Sequence, residues 1–417
     1  MIQKLRNKTY RFLRWTETYA RTDMLYLVKG GSWLTLGQGA GTLTGLVLAI
    51  GFANLLPKEV YGNYTFILAL AGIVGTFTLT GMRSAITRAV AKGFDGMLQV
   101  GFRESMKWSI LMVIAALAGA LYYFFNKNNV LGISLLIVGT FSPLMISAAL
   151  YSGFLNGKKD FKTGTIFNIY TNAIPAVFLL PTIFFTHNII IIVFVYFVSH
   201  TAVNVFFYAQ TLKKYEPEPD IDVSTITYSK HLSLMNVLST VADYLDKILV
   251  FHYLGAAQLA IYAFAIAVPT QLRGLLRNIN SLLLPKFAEG EKKTIQKSLY
   301  GKVLRVALIS SVFVGAYIVV APFIYQLFFP QYLDSVFYSQ LFSLIIIPAT
   351  MSIVSSSFLE AQREQKLLYI INITSPLIRI GLLLVLGYFY GIIGIILAVV
   401  ISKTISFFMI AILARKA

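Results

Sequence analysis

The chain contains no cysteine among its 417 residues, which excludes a disulfide framework, thiolate chemistry and Cys-ligated zinc or iron–sulfur sites. Charge is scarce too. Asp, Glu, Lys and Arg make up 12% of the residues, against roughly 25% in soluble domains, so a water-soluble fold is not expected. Acids are scarcer than bases, 17 against 35. There is no GxxxxGK[ST] phosphate loop, no HExxH and no nucleophile elbow, which argues against ATP hydrolysis, zincin chemistry and serine-hydrolase chemistry. The chain is read as a non-enzyme with no catalytic residue, metal or cofactor.

What is present is apolar: 57% of the residues are hydrophobic. Long hydrophobic stretches recur, each near the roughly 20 residues a helix needs to cross the hydrocarbon core of a membrane. The expected spans are 30–54, 60–82, 106–125, 129–153, 164–185, 188–210, 230–253, 257–283, 303–325, 336–358, 367–388 and 391–412. The fold class is therefore an all-α membrane protein of about twelve transmembrane helices. The formal charge of +18 would suggest nucleic acid only if a folded aqueous domain carried it. With no such domain, no nucleic-acid partner is expected, and the excess reads as positive-inside topology and attraction to anionic membrane lipids. Residues 1–29 alternate basic residues with Phe12, Leu13, Trp15 and Tyr19. They lack the apolar core of a signal peptide and read as a cytoplasmic interfacial segment.

Charge sets the orientation. With the N-terminus inside, the inner loops hold Arg83, Arg88, Lys92, Arg103 and Lys107, then Lys158, Lys159 and Lys162, then Lys213 and Lys214, then five lysines between 286 and 302, then Arg363 and Lys366. The outer loops hold only Lys58 and Lys127. Both termini are then cytoplasmic, in a multi-pass protein of the inner cell membrane. Segment 213–227 (KKYEPEPDIDVSTIT) is the one polar, acid-bearing linker and reads as a hinge between two six-helix bundles, 30–212 and 228–417. Internal echoes support the division. Leu56 and Tyr64 recur as Leu254 and Tyr262, 198 residues later, and Ser152–Gly157 resembles Ser356–Ala361 at an offset of 204. An even number of spans per half gives both halves the same orientation, related by an axis along the membrane normal, an architecture of alternating-access transporters.

Ionisable residues inside a bilayer are costly and mark functional sites. Span seven carries Asn236, Ser239, Thr240, Asp243, Asp246 and Lys247 at spacings of three and four, which gathers them into one polar stripe. Asp243 and Lys247, four apart, are placed to pair; alternatively Asp243 or Asp246 couples transport to an H+ or Na+ gradient. Arg273 and Arg277 share a face of span eight, and two guanidinium forks on one stripe suit phosphate oxygens. Arg379 and Lys403 fall near mid-membrane and extend the basic lining. Arg83 closes span two and serves topology or receives an anionic headgroup. The small residues Gly37, Gly39, Gly41 and Gly45, which include a GxxxG spacing, read as helix packing, and His200 as an isolated interior residue.

The sequence resembles the polysaccharide (O-antigen type) flippases, relatives of the multidrug and toxic compound extrusion transporters. The resemblance rests on Lys29-Gly30 and Trp33, on Leu56-Pro57-Lys58-Glu59-Val60-Tyr61-Gly62-Asn63-Tyr64, on Gly153-Phe154-Leu155-Asn156-Gly157-Lys158-Lys159-Asp160-Phe161, and on Asp243-Tyr244-Leu245-Asp246-Lys247 with Leu254-Gly255 and Ile261-Tyr262. It implies that a polyprenyl-diphosphate oligosaccharide is moved between leaflets for surface-polysaccharide assembly, with polysaccharide polymerases as partners. It also implies a cationic cavity, falling here to Arg273, Arg277 and Arg379; from the polar stripe and the end of span two, Asn236, Lys247 and Arg83 are read as further substrate contacts. Two other readings stay open: an ion-coupled exporter of organic cations on the same fold, which would need acidic lumen groups, and a non-transporting scaffold, for which intramembrane charge would serve no purpose.

Overall fold

The computed structural model describes residues 24–276, 292–362 and 364–416. The expected interfacial segment up to residue 23, Arg277 and the end of span eight lie outside the described residues. Every regular element among the described residues is helical.

In the first half, α1 (Met24–Leu55) turns at Pro57 into α2 (Lys58–Val74), which passes through a 3-10 turn (Gly75–Phe77) to the short α3 (Met82–Val90). There follow α4 (Met97–Phe125), α5 (Asn129–Ala148) with the short α6 (Tyr151–Gly157), α7 (Phe161–Phe185) and α8 (Ile189–Tyr215). The second half comprises α9 (Ser224–Leu254), α10 (Ala256–Leu276), α11 (Lys292–Phe328), the broken pair α12 (Ser335–Ser343) and α13 (Ile346–Ala361), and the stretch Gln365–Lys416. That last stretch is two helices, α14 (365–390) and α15 (392–416). In one straight helix Thr374 and Met409 would stand about 52 Å apart at 1.5 Å per residue, yet the Thr374 hydroxyl lies 3.1 Å from the Met409 sulfur. The reversal falls at Gly391, whose φ of 57° and ψ of −134° no side-chain-bearing residue readily adopts.

Nine helical stretches among the described residues are long and apolar enough to cross a membrane, the doubled 366–415 stretch counting as one. Helix α9 falls short of that measure because it carries Asp243, Asp246 and Lys247, and span eight is described only as far as Leu276. Three expected spans prove to be broken. At 336–358 the reason is Pro348: it has no N–H to donate and its ring displaces the carbonyl four residues earlier, so α12 stops at Ser343 and Pro348 sits in the first turn of α13. Asn128, Asp160 and Asn188 cap the helices that follow them by accepting from backbone N–H groups. Gly255, at φ 86°, ends α9.

The packing repeats in the two halves. The first helix lies along the fifth, α1 on α7 and α9 on α14, and the fourth lies along the sixth, α5 on α8 and α13 on α15. Large apolar side chains cover the outside, Phe125, Phe185 and Leu327 among them, as expected for helices solvated by lipid. Small hydroxyl residues fill the inside: Ser147 donates to Ser105 between α5 and α4 at 2.9 Å. Of the glycines singled out for packing, Gly37 meets Thr165 of α7, Gly45 faces Gln271 of α10, and Gly39 and Gly41 meet nothing within 4 Å.

The halves meet where α2 runs against α9 and α10. A Cβ on Gly62 would lie 1.9 Å from the Ala256 carbonyl oxygen, so only glycine allows this approach. At the same end Lys58 pairs with Asp334 at 3.2 Å and Asn54 donates to the Phe328 carbonyl. At the opposite, basic end the Gly81 N–H donates to Ser233, Arg88 lies over the Tyr228 ring and Lys230 over Trp108. Segment 213–227 is tied there to the first half through the Gly96 N–H, which donates to Asp220 at 3.1 Å.

Candidate functional site

The polar stripe of α9 divides over three directions once the helix is packed. Asp246 points inward and is 4% exposed. Its carboxylate accepts from the Tyr262 hydroxyl and from the Lys247 N–H, each at 2.7 Å, and lies 3.5 Å from Arg379 Nη2 and 3.9 Å from Lys247 Nζ. A buried carboxylate is tolerated only when its lone pairs and charge are met in this way. Asp243 is held differently. Its side chain is 66% exposed and accepts from Arg379 Nη1 at 2.5 Å.

The expected pairing of Asp243 with Lys247 is not made. The i, i+4 rule considers one helix alone, whereas α14, packed along α9, delivers Arg379 to Asp243 from 136 residues away. Lys247 turns instead to Asp246 and lies over the Tyr244 ring at 5.2 Å.

Beside this network is a cavity of about 340 Å³ within the second half. Arg273 of α10, Arg379 of α14 and Lys403 of α15 converge on it, with Asp243 as the one carboxylate in its wall. The lining hydroxyls are Ser239, Ser375, Ser402 and Ser406, and α12–α13 supplies an apolar side through Ile345, Ala349 and Ile353. Lys403 lies within electrostatic range of Arg273, Arg379 and Asp243 together. The Nε of Arg379 is buried without a hydrogen-bond partner. Three cations against one carboxylate in the cavity wall form a field that favours an anion with two negative charges. Guanidinium forks and serine hydroxyls are the donors that phosphoryl oxygens accept from.

The remaining expected residues fall elsewhere. Asn236 is exposed on α9, where its carbonyl accepts from Ser239 and Thr240, and it is not part of this wall. Arg83 belongs to α3 of the first half, beside Gly153, and is likewise not in the wall. His200 packs its ring 4.5 Å from Tyr196. The cavity adds Ser375, Ser402 and Ser406, which sequence reasoning passed over. Their signal is local spacing: Ser375 stands four before Arg379, and Ser402 and Ser406 flank Lys403 at positions that share its side of α15. Among the described residues no group of His, Asp and Glu could hold a metal ion.

Comparison with known proteins places this geometry in context. Residues 27–291 match the family described as polysaccharide biosynthesis protein. A curated relative from Shigella flexneri, named "Putative O-antigen transporter", is 24% identical over 306 residues, 66% of this chain and 70% of that protein. Among solved structures, an inward-facing multidrug resistance MATE family transporter of the MOP superfamily is similar with a TM-score of 0.65 and 14% identity, over 90% of this chain and 94% of the other. The lipid II flippase MurJ in an inward closed conformation matches with a TM-score of 0.65 and 16% identity, over 91% and 86%. A MOP superfamily transporter from Pyrococcus furiosus, reported with a binding pocket of reverse polarity, matches with a TM-score of 0.62 and 15% identity, over 93% and 95%. At such identities these structures establish a shared transporter fold of two six-helix halves.

Proposed function

The chain belongs to the polysaccharide biosynthesis protein family, as a helical membrane transporter of the MOP superfamily, and from that premise we propose that it is a flippase for a polyprenyl-diphosphate-linked oligosaccharide. In this reading the two halves, 30–212 and 228–417 joined by 213–227, rock about their seam in the cytoplasmic membrane, with the basic end and both termini facing the cytoplasm. The polyprenyl tail stays in lipid while the headgroup passes between the halves. Polysaccharide polymerases consume the product, and no catalytic step is assigned to this chain.

The observation that carries the proposal is the convergence of Arg273, Arg379 and Lys403 on one cavity inside the bundle. A sugar diphosphate cannot enter hydrocarbon without losing its hydration and counterions, which fixed cations and hydroxyls replace. The same field repels organic cations, which counts against the exporter reading, and intramembrane charge has no use in a scaffold.

The two acids take different roles. Asp246, buried and fully bonded, holds Arg379 in place. Asp243, largely exposed and held by one contact, is the exchangeable partner. A diphosphate arriving on Arg379 displaces Asp243, whose freed carboxylate then takes up H+ or Na+ and couples movement to an ion gradient. The test is transport of a fluorescent polyprenyl-diphosphate oligosaccharide in proteoliposomes with and without an imposed gradient. Arg273→Ala is expected to slow transport at least tenfold, and Asp243→Asn to make the residual rate indifferent to the gradient. Folded wild-type protein that moves no such lipid under any gradient would sink the proposal.

A further inference from the structure

A second chamber lies on the neighbouring face of α9, between the two halves, with a volume of about 560 Å³, within the range of small-molecule sites. Its character is different. Tyr61, Tyr196 and Tyr244 line it, with Thr240, Ser142 and Thr80. The one charged residue in its wall, Lys247, is occupied with Asp246 and the Tyr244 ring. The chamber is therefore neutral, rich in aromatic faces and rich in hydroxyls.

Two of those hydroxyls have no partner. Ser142 of α5, 1% exposed, and Thr80, in the turn before α3, both have a buried Oγ that makes no hydrogen bond. Buried hydroxyls in helices normally bond to a carbonyl three or four residues back, as Ser134 of α5 does. An unmet buried hydroxyl destabilises the fold unless something supplies a partner.

We propose that this chamber holds sugar rings of the transported lipid, while the diphosphate occupies the cationic cavity. The inference rests on the flippase reading and adds to it where the glycan sits. A pyranose offers apolar C–H faces for tyrosine rings and hydroxyls that both donate and accept, which suits unpartnered Ser and Thr oxygens. It has no charge to attract it to Arg273 or Lys403. The geometry of α9 joins the two sites: Ser239 and Asp243 face the cations, Thr240 and Tyr244 face the chamber, and Ser239 is next to Thr240 in sequence as Asp243 is to Tyr244, so the two faces share an edge. The wall is also shared between halves. A Cβ on Gly72 of α2 would lie 2.3 Å from the Tyr244 ring, so α2 has room for that ring only because residue 72 is glycine. Separation of the halves would withdraw Tyr244 and release the sugar.

The experiment measures binding to the full chain in nanodiscs. The probes are undecaprenyl diphosphate and four derivatives bearing glucose, galactose, N-acetylglucosamine or N-acetylgalactosamine. At least one derivative is expected to bind about tenfold more tightly than the bare diphosphate. Ser142→Ala should reduce that ratio about fivefold, the worth of a hydrogen bond. Tyr196→Ala should bring it close to one, and Tyr196→Phe, which keeps the ring, should retain most of it. Arg379→Ala should weaken all five lipids alike and leave the ratio unchanged. The chamber assignment is overturned if bare diphosphate binds but no sugar improves it, or if the increment survives Ser142→Ala and Tyr196→Ala. Wild-type protein that binds none of the five lipids would instead overturn the flippase reading, and the chamber with it.

Discussion

Helices α1 and α9 open the two halves, and each packs along the fifth helix of its own half. Where α9 carries Asp243, Asp246 and Lys247, the positions 198 residues earlier on α1 are Gly45, Leu48 and Ala49. The paired tyrosines diverge in step. Tyr262 donates to Asp246, whereas its counterpart Tyr64 packs against Phe52 and Tyr196. One scaffold thus supports a charged interior in one half and an aromatic, hydroxyl-bearing interior in the other. The reason is local compensation. A charge survives inside a membrane only where neighbouring helices meet it, and α14 brings Arg379 where α7, its counterpart, carries only Lys162, in its first turn. The charges of the first half stay at its rims: Lys58 pairs with Asp334 at one end, and at the basic end Asp95 pairs with Lys158 and Asp160 with Lys214 and Tyr215.

The strongest way to break this asymmetry is Arg379→Ala. It removes both the anion site and the cation facing buried Asp246, and should cost about 3–5 kcal/mol of stability together with most transport. Adding Asp246→Ala should restore much of the thermal stability in detergent and none of the flux, which separates the two roles of the guanidinium.

The seam between the halves gives the next effect. Gly62→Val drives a side chain into the Ala256 carbonyl and should cost about 1–3 kcal/mol. Gly41→Ala, where nothing lies within 4 Å, should change stability by less than about 0.5 kcal/mol. Parallel melting curves compare them.

Asp243→Asn sharpens the distinction between the two acids. It removes a largely exposed partner of Arg379, a contact worth about 1 kcal/mol at most, and should tighten binding of undecaprenyl diphosphate up to about fivefold. Unchanged affinity would show that Asp243 does not compete with the lipid.

The smallest effect concerns the rim. Burial opposes ionisation of Asp160, but hydrogen bonds from Tyr215, from the N–H and hydroxyl of Thr163 and from Lys214 prevail and hold its carboxyl well below the usual carboxylate range. A depressed folded value means that the stabilisation is present above the ordinary carboxylate pKa of about 4 and is lost as pH falls toward the depressed one. Asp160→Ala should cost about 1 kcal/mol near neutrality as a lost helix cap. The difference from wild type should shrink below about pH 4, as read by unfolding at pH 6 and pH 3.

The number of spans, the membrane environment and the concentration of intramembrane charge in the second half were legible in the amino-acid order. A spanning helix satisfies its own backbone hydrogen bonds and so leaves its mark in a continuous apolar run. The reversal at Gly391 could be read as well, since a run of some fifty apolar residues is too long to cross once. Arg273, Arg379 and Asp243 stood out because charge is rare in such runs. Tertiary structure alone decided which of them meet. Asp243 takes its partner from α14 rather than from its own helix, the stripe of α9 splits between two cavities, and α2, α5, α8 and α9 build one aromatic chamber from residues as distant as Tyr61 and Tyr244. Periodicity within a helix states which residues share a face, but only the packing of the helices states what that face meets.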